Sequence, residues 1–316
     1  MRVVEREVRG EIMRTDVFVK LVSETRNEAD LNRDLSDAFD MFRDISRRFS
    51  RFQEDSELSK LNVTSEIKVS TGMATILSEA LSLYRETDGI FDPSILSDLE
   101  YEGYTGSFGA ESFGAPLAGD QKERFSFDAL SIDTGTGIVR KPAGLRIDLG
   151  GIAKGYAVDQ VAQMLRDRGN VDFIVDAGGD IFVSGGDAEH GYGYWAIDIA
   201  DSSGKTDRVA LLTLSDRAVT TSGTDRRRWT VEGESRHHLI DPRTRKSATT
   251  DILSATVVGT SVLRAEVLAK TLCILGRERA ITFAEERGIP TFLVTTDGNT
   301  VYTSFMSPYV FDEKTT

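Results

Sequence analysis

Apolar side chains recur at three- and four-residue intervals in two early stretches of the chain. Leu31, Leu35, Ala38, Phe42, Ile45 and Phe49 fall on one face of a helix, and Met73, Ile76, Leu77, Ala80, Leu81 and Tyr84 repeat the pattern. The polar run Ser50 to Asn62 reads as the connection between them. From Gly103 to Gly119, five glycines, two serines and Pro116 stand without any period, which predicts a flexible loop over about 101–120. Beyond it the texture turns to short β-rich runs. These are Gly144 to Leu149, Val171 to Val175, Tyr194 to Ile199, Val209 to Leu214, Ala218 to Thr221, Ser254 to Val258 and Thr291 to Thr295. The last is joined through the hairpin signal Asp297-Gly298 to Val301 to Phe305. Helical patterns interrupt the strands near Ala153 to Arg168, Leu263 to Leu275 and Arg277 to Arg287. The order predicts an α+β fold of hairpins and meanders, not a regular βαβ alternation. One domain over 1–316 is expected, with a helical part over about 1–100, the loop, and a β-rich part over about 121–305.

Composition narrows the function classes. A chain of 316 residues can bury about 75% of its unfolded surface, enough for a large core. Its 38 Lys+Arg against 51 Asp+Glu leave a net charge of −13, which repels a phosphate backbone and argues against nucleic acid as the partner. The clusters Arg226-Arg227-Arg228 and Arg243, Arg245, Lys246 are short; each is either a solvated loop face or a holder of one small polyanion. The single cysteine, Cys273, lies in an apolar run, has no disulfide partner and reads as a buried small hydrophobe. Met1 to Gly10 mixes charges of both signs, and no later segment approaches the about 18 apolar residues of a membrane span. A soluble, cytoplasmic protein is expected.

Four segments carry candidate chemistry. In Arg146 to Asp159, a strand ending at Asp148 is expected to meet Gly150-Gly151 and then a helix with Lys154 and Gly155 in its first turn. Glycines and a helix N-terminus together suit a phosphate, although Gly-Gly alone also makes a tight turn with no ligand. A second glycine turn, Asp176-Ala-Gly-Gly-Asp180, suggests a shared site. Thr220 to Asp225 offers hydroxyls to phosphate oxygens. His237-His238 point to opposite faces of a strand and so make a poor pair of ligands for one metal; His238 is either structural or a proton acceptor near neutral pH. On the last helix pattern, Glu266 and Lys270 stand at i and i+4, either as an exposed ion pair or as a carboxylate and ammonium beside a bound pyrophosphate.

Taken together, these segments resemble the ApbE family of FAD:protein FMN transferases over roughly residues 10–305. The resemblance is carried in order by Phe49-Ser-Arg-Phe-Gln-Glu-Asp-Ser-Glu-Leu-Ser-Lys-Leu-Asn62, Asp88-Gly-Ile-Phe-Asp-Pro93, Ile147-Asp-Leu-Gly-Gly-Ile-Ala-Lys-Gly-Tyr-Ala157, Asp176-Ala-Gly-Gly-Asp180, Thr221-Ser-Gly223, His238-Leu-Ile-Asp-Pro-Arg-Thr244 and Ala265-Glu-Val-Leu-Ala-Lys270. It implies mainly antiparallel sheets packed with helices. It also implies an enzyme that binds FAD with a divalent metal, usually magnesium, and moves FMN onto a Thr or Ser hydroxyl of an acceptor flavoprotein with release of AMP. Some members hydrolyse FAD to FMN and AMP instead, and a non-catalytic flavin binder is the third alternative. The usual family address lies outside the cytoplasmic membrane, so this N-terminus implies a cytoplasmic acceptor here.

By position, the resemblance makes Met13, Phe52, Ile90, Phe91, Asp92, Asp148, Lys154 and Ile240 contacts to FAD. It makes His238 the candidate proton-handling group, and Gly151, through its carbonyl, a metal ligand. The departure is in the last helix, where the common pattern Ala-Asp-x-x-Ala-Thr reads Glu266 and Lys270. Glutamate is still an oxygen ligand, but a protonated lysine has no lone pair to offer. Two readings follow: Lys270 supplies the metal's charge with Glu266 holding it in place, or a metal persists through Gly151, Glu266, phosphate oxygens and water. The first is favoured, because an ammonium and a dication repel in a low-dielectric site.

Overall fold

The computed structural model describes residues 3–106, 125–188, 190–225, 227–231 and 233–311. Its centre is an eight-stranded sheet. In spatial order the strands are Val4–Ile12, Thr15–Ser23, Asp172–Ala177, Asp180–Ser184, Arg217–Gly223, Ile252–Gly259, Thr291–Thr295 and Thr300–Tyr302. Every neighbouring pair is antiparallel. Side chains two apart share a face, and both faces are apolar. One carries Val17, Val19, Leu21, Phe173, Val175, Phe182, Ala218, Ala255, Val257 and Leu293; the other carries Val22, Val183, Val219, Val258, Phe292 and Val294. Each must therefore be covered, since burying one such side chain contributes about 1.5–3 kcal/mol.

Seven helices stand among the described residues: α1 (Glu28–Phe49), α2 (Glu57–Val63), α3 (Thr71–Glu86), α4 (Leu96–Tyr101), α5 (Ala153–Asp167), α6 (Val262–Leu275) and α7 (Arg277–Glu286). Helices α1 and α5 pack on the first half of one sheet face and share their core with α3, while α6 and α7 pack on its second half. The opposite face is covered by the antiparallel ribbon of Trp195–Ala200 and Arg208–Leu214. The result is the expected α+β arrangement of antiparallel sheets and helices. None of the described helices is long and apolar enough to cross a membrane.

Several expectations change. The chain does not begin as helix: Val4–Ile12 and Thr15–Ser23 form a hairpin, closed by Met13 and Arg14 at φ of 56° and 55°. That two-residue turn has left-handed geometry without the Asn-Gly or Asp-Gly that usually announces it. The polar connection after α1 contains α2, whose N-cap Ser56 accepts a hydrogen bond from the Ser59 amide at 2.9 Å. Residues 144–149 form no strand. Instead the Asn62 side chain donates to the Ile147 carbonyl at 2.9 Å and accepts from its amide at 2.8 Å, while the Asp148 amide donates to Pro93 O. After Asp297-Gly298 the strand ends at Tyr302, and a 3₁₀ turn follows over Ser304–Tyr309. Of the expected loop over 101–120, residues 107–120 lie outside the described residues. Cys273 is fully buried, donates to Ser222 O, and has its thiol pushed up to about 12 by burial.

The join that matters for the site is between α5 and α6. A β-carbon at Gly155 would stand 2.6 Å from Leu263 Cα and 2.7 Å from Leu263 N, so the two backbones meet directly. Each helix then caps the other. Asp159 of α5 accepts from the amides of Val262 (2.8 Å) and Leu263 (3.0 Å) and from Ser261 Oγ (2.7 Å); Glu266 of α6 accepts from the Gly155 amide at 2.9 Å. These contacts satisfy N–H groups that a helix start leaves without intrahelical partners.

Gly155→Ala tests this join. Alanine favours a helix interior by about 0.5–1 kcal/mol, but here its methyl would meet backbone that cannot swing aside. The substitution is expected to lower stability by a net of about 1–3 kcal/mol, measured as a fall in the urea midpoint. An unchanged or raised midpoint would refute the backbone contact.

Candidate functional site

A cavity of about 570 Å³ opens beside the N-terminus of α5, where α6, the Met13–Arg14 turn, the chain after α1 and the segment around Phe91 converge. That size suits a cofactor-sized ligand. Of the residues implicated by the resemblance, Met13, Phe52, Ile90, Phe91, Asp92, Asp148, Gly151, Lys154, His238, Ile240 and Lys270 all line it. Glu266 does not; it lies behind the wall, 3% exposed.

One side of the cavity is cationic. The Lys154 ammonium is ion-paired to Asp180 and stands 3.5 Å from Glu266 Oε1. The Lys270 ammonium donates to the Gly151 carbonyl at 2.9 Å. Gly151 has to be glycine for this, because a β-carbon there would collide with Lys270 Nζ. Burial pushes the Lys270 ammonium down from its ordinary range, Glu266 and Asp148 act against that, and Arg227 reinforces it. Among the described residues, neither Lys270 nor Arg227 has a carboxylate within ion-pair distance. They are thus the cations of this wall left open to an anion, together with the positive end of α5.

The opposite part is apolar and aromatic. Ile90, Phe91 and Ile240 are buried beside the half-buried Met13. Arg51 joins the two regions: its Nε pairs with Asp148 Oδ2 at 2.8 Å, and its guanidinium lies 4.2 Å from the Phe52 ring centre and 5.0 Å from that of Tyr104. Tyr104 in turn stacks on Trp229 at 5.6 Å. Asp148 is held further by the Gly150 amide at 2.8 Å, and Asp92 Oδ1 accepts from the amide (2.8 Å) and hydroxyl (2.6 Å) of Ser94. Such fixed carboxylates and stacked rings can orient a planar heterocycle and its polar edge.

The two histidines separate, as alternation requires. His237 Nε2 donates to Ala248 O at 3.0 Å while Nδ1 accepts from the Leu239 amide at 3.3 Å, so both nitrogens are used in the structure. His238 faces the cavity, and its Nδ1 is buried without a hydrogen-bond partner among the described residues. Burial holds its pKa well below 6.5, and the charges of Arg227 and Lys270, the neighbouring His237 and Lys154 push the same way. A neutral imidazole beside a cationic wall is ready to accept a proton.

Other sequence expectations fall elsewhere. In the turn after Ala177, Gly178 and Gly179 take positive φ to join two sheet strands and do not line the cavity; Asp180 contributes by holding Lys154. The hydroxyls of Thr221 and Thr224 are used in the sheet, in the Thr221–Thr256 bond of 2.9 Å and the Thr224 bond to Ile252 O, and none of the residues 220–225 lines the cavity. Arg243 pairs with Asp241 and Arg245 with Asp98, and neither they nor Lys246 line the cavity. Sequence reasoning missed Arg51 and Tyr104, whose roles depend on partners far along the chain. Arg227 stood only within a basic run that was equally readable as solvated.

The donor set does not fit the divalent metal that the resemblance implies. The Gly151 carbonyl is taken by an ammonium, and both oxygens of Glu266 face other partners, the Gly155 amide and Lys154. Among the described residues no group of three or more His, Cys, Asp or Glu side chains is arranged to hold a metal ion. A unit charge pair 4 Å apart interacts by about 4 kcal/mol at an effective dielectric of 20, so a dication beside the Lys270 ammonium is opposed by about 8 kcal/mol.

The sequence pattern of the ApbE family matches residues 13–293. An FAD:protein FMN transferase from Haemophilus influenzae is 25% identical over 308 residues, covering 95% of this chain and 89% of that protein. One from Vibrio cholerae is 30% identical over 275 residues, covering 84% of this chain and 80% of its own length. Among solved structures, the crystal structure of the ApbE protein from Thermotoga maritima superposes with a TM-score of 0.84 at 25% identity, covering 98% of this chain and 100% of that one.

A neutral His238, its Nδ1 buried, makes stability depend on pH in a definite direction. Unfolded, the imidazole takes a proton near 6.5; folded, it resists until well below that. The unfolded state therefore binds more protons as pH falls, and stability drops on the acid side. His238→Asn removes that contribution. Between about pH 7.5 and pH 5, the variant is expected to lose about 1–2 kcal/mol less than the unsubstituted protein, read from urea midpoints at both pH values. A difference between the two proteins that does not change with pH would show that the folded imidazole titrates normally.

Proposed function

The chain belongs to the ApbE family, and on that premise we propose that it transfers FMN from FAD to a Thr or Ser hydroxyl of an acceptor flavoprotein, releasing AMP. The observation that carries the proposal is the convergence in one cavity of a neutral His238, whose Nδ1 has no hydrogen-bond partner among the described residues, with two cations that have no carboxylate partner among those residues, Lys270 and Arg227. The first suits a proton acceptor, the others an anionic group such as a pyrophosphate.

On this reading the flavin lies toward Phe52, Ile90, Phe91 and Ile240, with Asp92 and Asp148 at its polar edges, and the pyrophosphate lies between Lys270, Arg227 and the start of α5. The acceptor hydroxyl attacks the phosphorus on the FMN side. Its oxygen forms the new P–O bond, its proton passes to His238, and the P–O bond to AMP breaks, AMP leaving with the electron pair. The cations take up charge that grows on the phosphate oxygens, and they are fixed before the reaction begins. Lys154 acts at one remove: it is committed to Asp180 and Glu266, and so fixes the wall that Lys270 belongs to.

Incubation with FAD and an acceptor bearing a target Thr or Ser, followed by intact-mass measurement of the acceptor and assay of AMP, tests the proposal. An FMN adduct and AMP are expected in equal amounts. His238→Ala should slow transfer by about 10²–10⁴-fold while changing FAD affinity little. Free FMN and AMP without an adduct would replace transfer by hydrolysis, and no AMP at all would leave a flavin binder without this chemistry.

A further inference from the structure

The residues around Lys270 differ from a metal site in a coordinated way. Lys270 does not project loosely into the cavity; its ammonium is seated on the Gly151 carbonyl at 2.9 Å, in space that exists only because residue 151 has no side chain. An ammonium has three N–H donors. One is used on Gly151, leaving two for oxygens of a ligand in the cavity that Lys270 lines. Glu266, the other departure from the common family pattern, is not held in reserve as a ligand. It is buried, one oxygen on the Gly155 amide at 2.9 Å and the other 3.5 Å from Lys154. Arg227 lines the same cavity and adds a guanidinium, a natural partner for phosphate oxygens.

We infer that in this protein the Lys270 ammonium, assisted by Arg227, takes the place of a divalent cation at the pyrophosphate, so that FAD is bound without a metal. The inference rests on the reading of the cavity as an FAD site and adds to it how the pyrophosphate charge is met. Glu266 is thereby turned from metal binding to capping α5. Lys270 is a binding residue that meets phosphate oxygens directly.

The test is FAD binding itself, followed by flavin fluorescence on the full chain with EDTA or with magnesium. The unsubstituted protein is expected to bind FAD with affinities within about threefold of each other in the two conditions. Lys270→Met should weaken binding by about 10–100-fold in EDTA, the loss of charge-assisted hydrogen bonds. Lys270→Arg, which keeps the charge, should retain more of the affinity. Lys270→Thr frees the Gly151 carbonyl and is expected to bind weakly in EDTA and regain affinity with magnesium. If the unsubstituted protein loses FAD in EDTA and regains it with magnesium, the inference is overturned while the cavity remains an FAD site. If Lys270→Met folds and binds as tightly as its parent in EDTA, the inference is equally overturned. Failure of the unsubstituted protein to bind FAD in either condition would sink the FAD reading, and this inference with it. The comparison of EDTA with magnesium on the unsubstituted protein decides the question even if a variant does not fold.

Discussion

Where α5 passes α6, Gly155 offers only hydrogen to the backbone of Leu263, and this contact decides where both helices can begin. With any larger residue the helices would stand further apart. Asp159 would then lose the amides of Val262 and Leu263, and Glu266 the amide of Gly155. The functional groups stand on the same turns. Lys154 immediately precedes Gly155, and Lys270 is one turn beyond Glu266, so the spacing that lets the helices cap each other also brings the two ammonium groups to one wall. Packing and chemistry share a single geometric constraint here, and neither can be altered without the other.

Charge within the wall is organised by pairing. A buried ion left without its partner is costly, whereas a buried pair adds little net stability. Such pairs are therefore better understood as devices that fix position. Arg51 fixes Asp148 and itself lies against two rings; Asp180 and Glu266 fix Lys154; Asp98 fixes Arg245 away from the cavity. Against this background the absence of an ion pair becomes informative. Among the described residues, Lys270 and Arg227 are cavity cations that remain outside such pairs, and on the proposed reading the two anionic phosphates of FAD are what would meet them. The overall charge of −13 gives no hint of it, because a sum over the whole chain averages a few enclosed groups with many solvated ones.

What was legible in the sequence follows from the range of the interactions involved. Helices α1, α3, α5, α6 and α7 were visible because their apolar faces repeat over several turns, and the strand Thr291–Thr295 because its run ends in Asp297-Gly298. The first hairpin was not, since its turn uses Met13 and Arg14 in a conformation their side chains do not advertise. The run 144–149 looked like a strand by composition, but the Ile147 backbone bonds to the Asn62 side chain and the Asp148 amide to Pro93 O instead of to a neighbouring strand. In the cavity, local motifs pointed to Asp148, Gly151, Lys154 and His238. Arg51 depends on Asp148 and Tyr104, nearly 100 and more than 50 residues away in sequence, and no periodicity or motif expresses such a pairing.

Set against the Asp and Thr that the family resemblance implies at these positions, Glu266 and Lys270 act together as one change made at two positions. A lysine at 270 beside a carboxylate still directed at Gly151 would tend to form an ion pair with it, leaving both charges spent. Glutamate has one methylene more than aspartate, and in this structure its carboxylate reaches the Gly155 amide and Lys154, away from Gly151. That keeps the Gly151 carbonyl as the seat of the Lys270 ammonium and leaves the remaining N–H groups unclaimed by acid. The field of Glu266 nonetheless acts on Lys270 and opposes the loss of its proton in the buried site. Glu266 thus supports the charge of Lys270 from a distance without consuming it, which is the arrangement a buried cation needs if it is to remain available to an incoming anion.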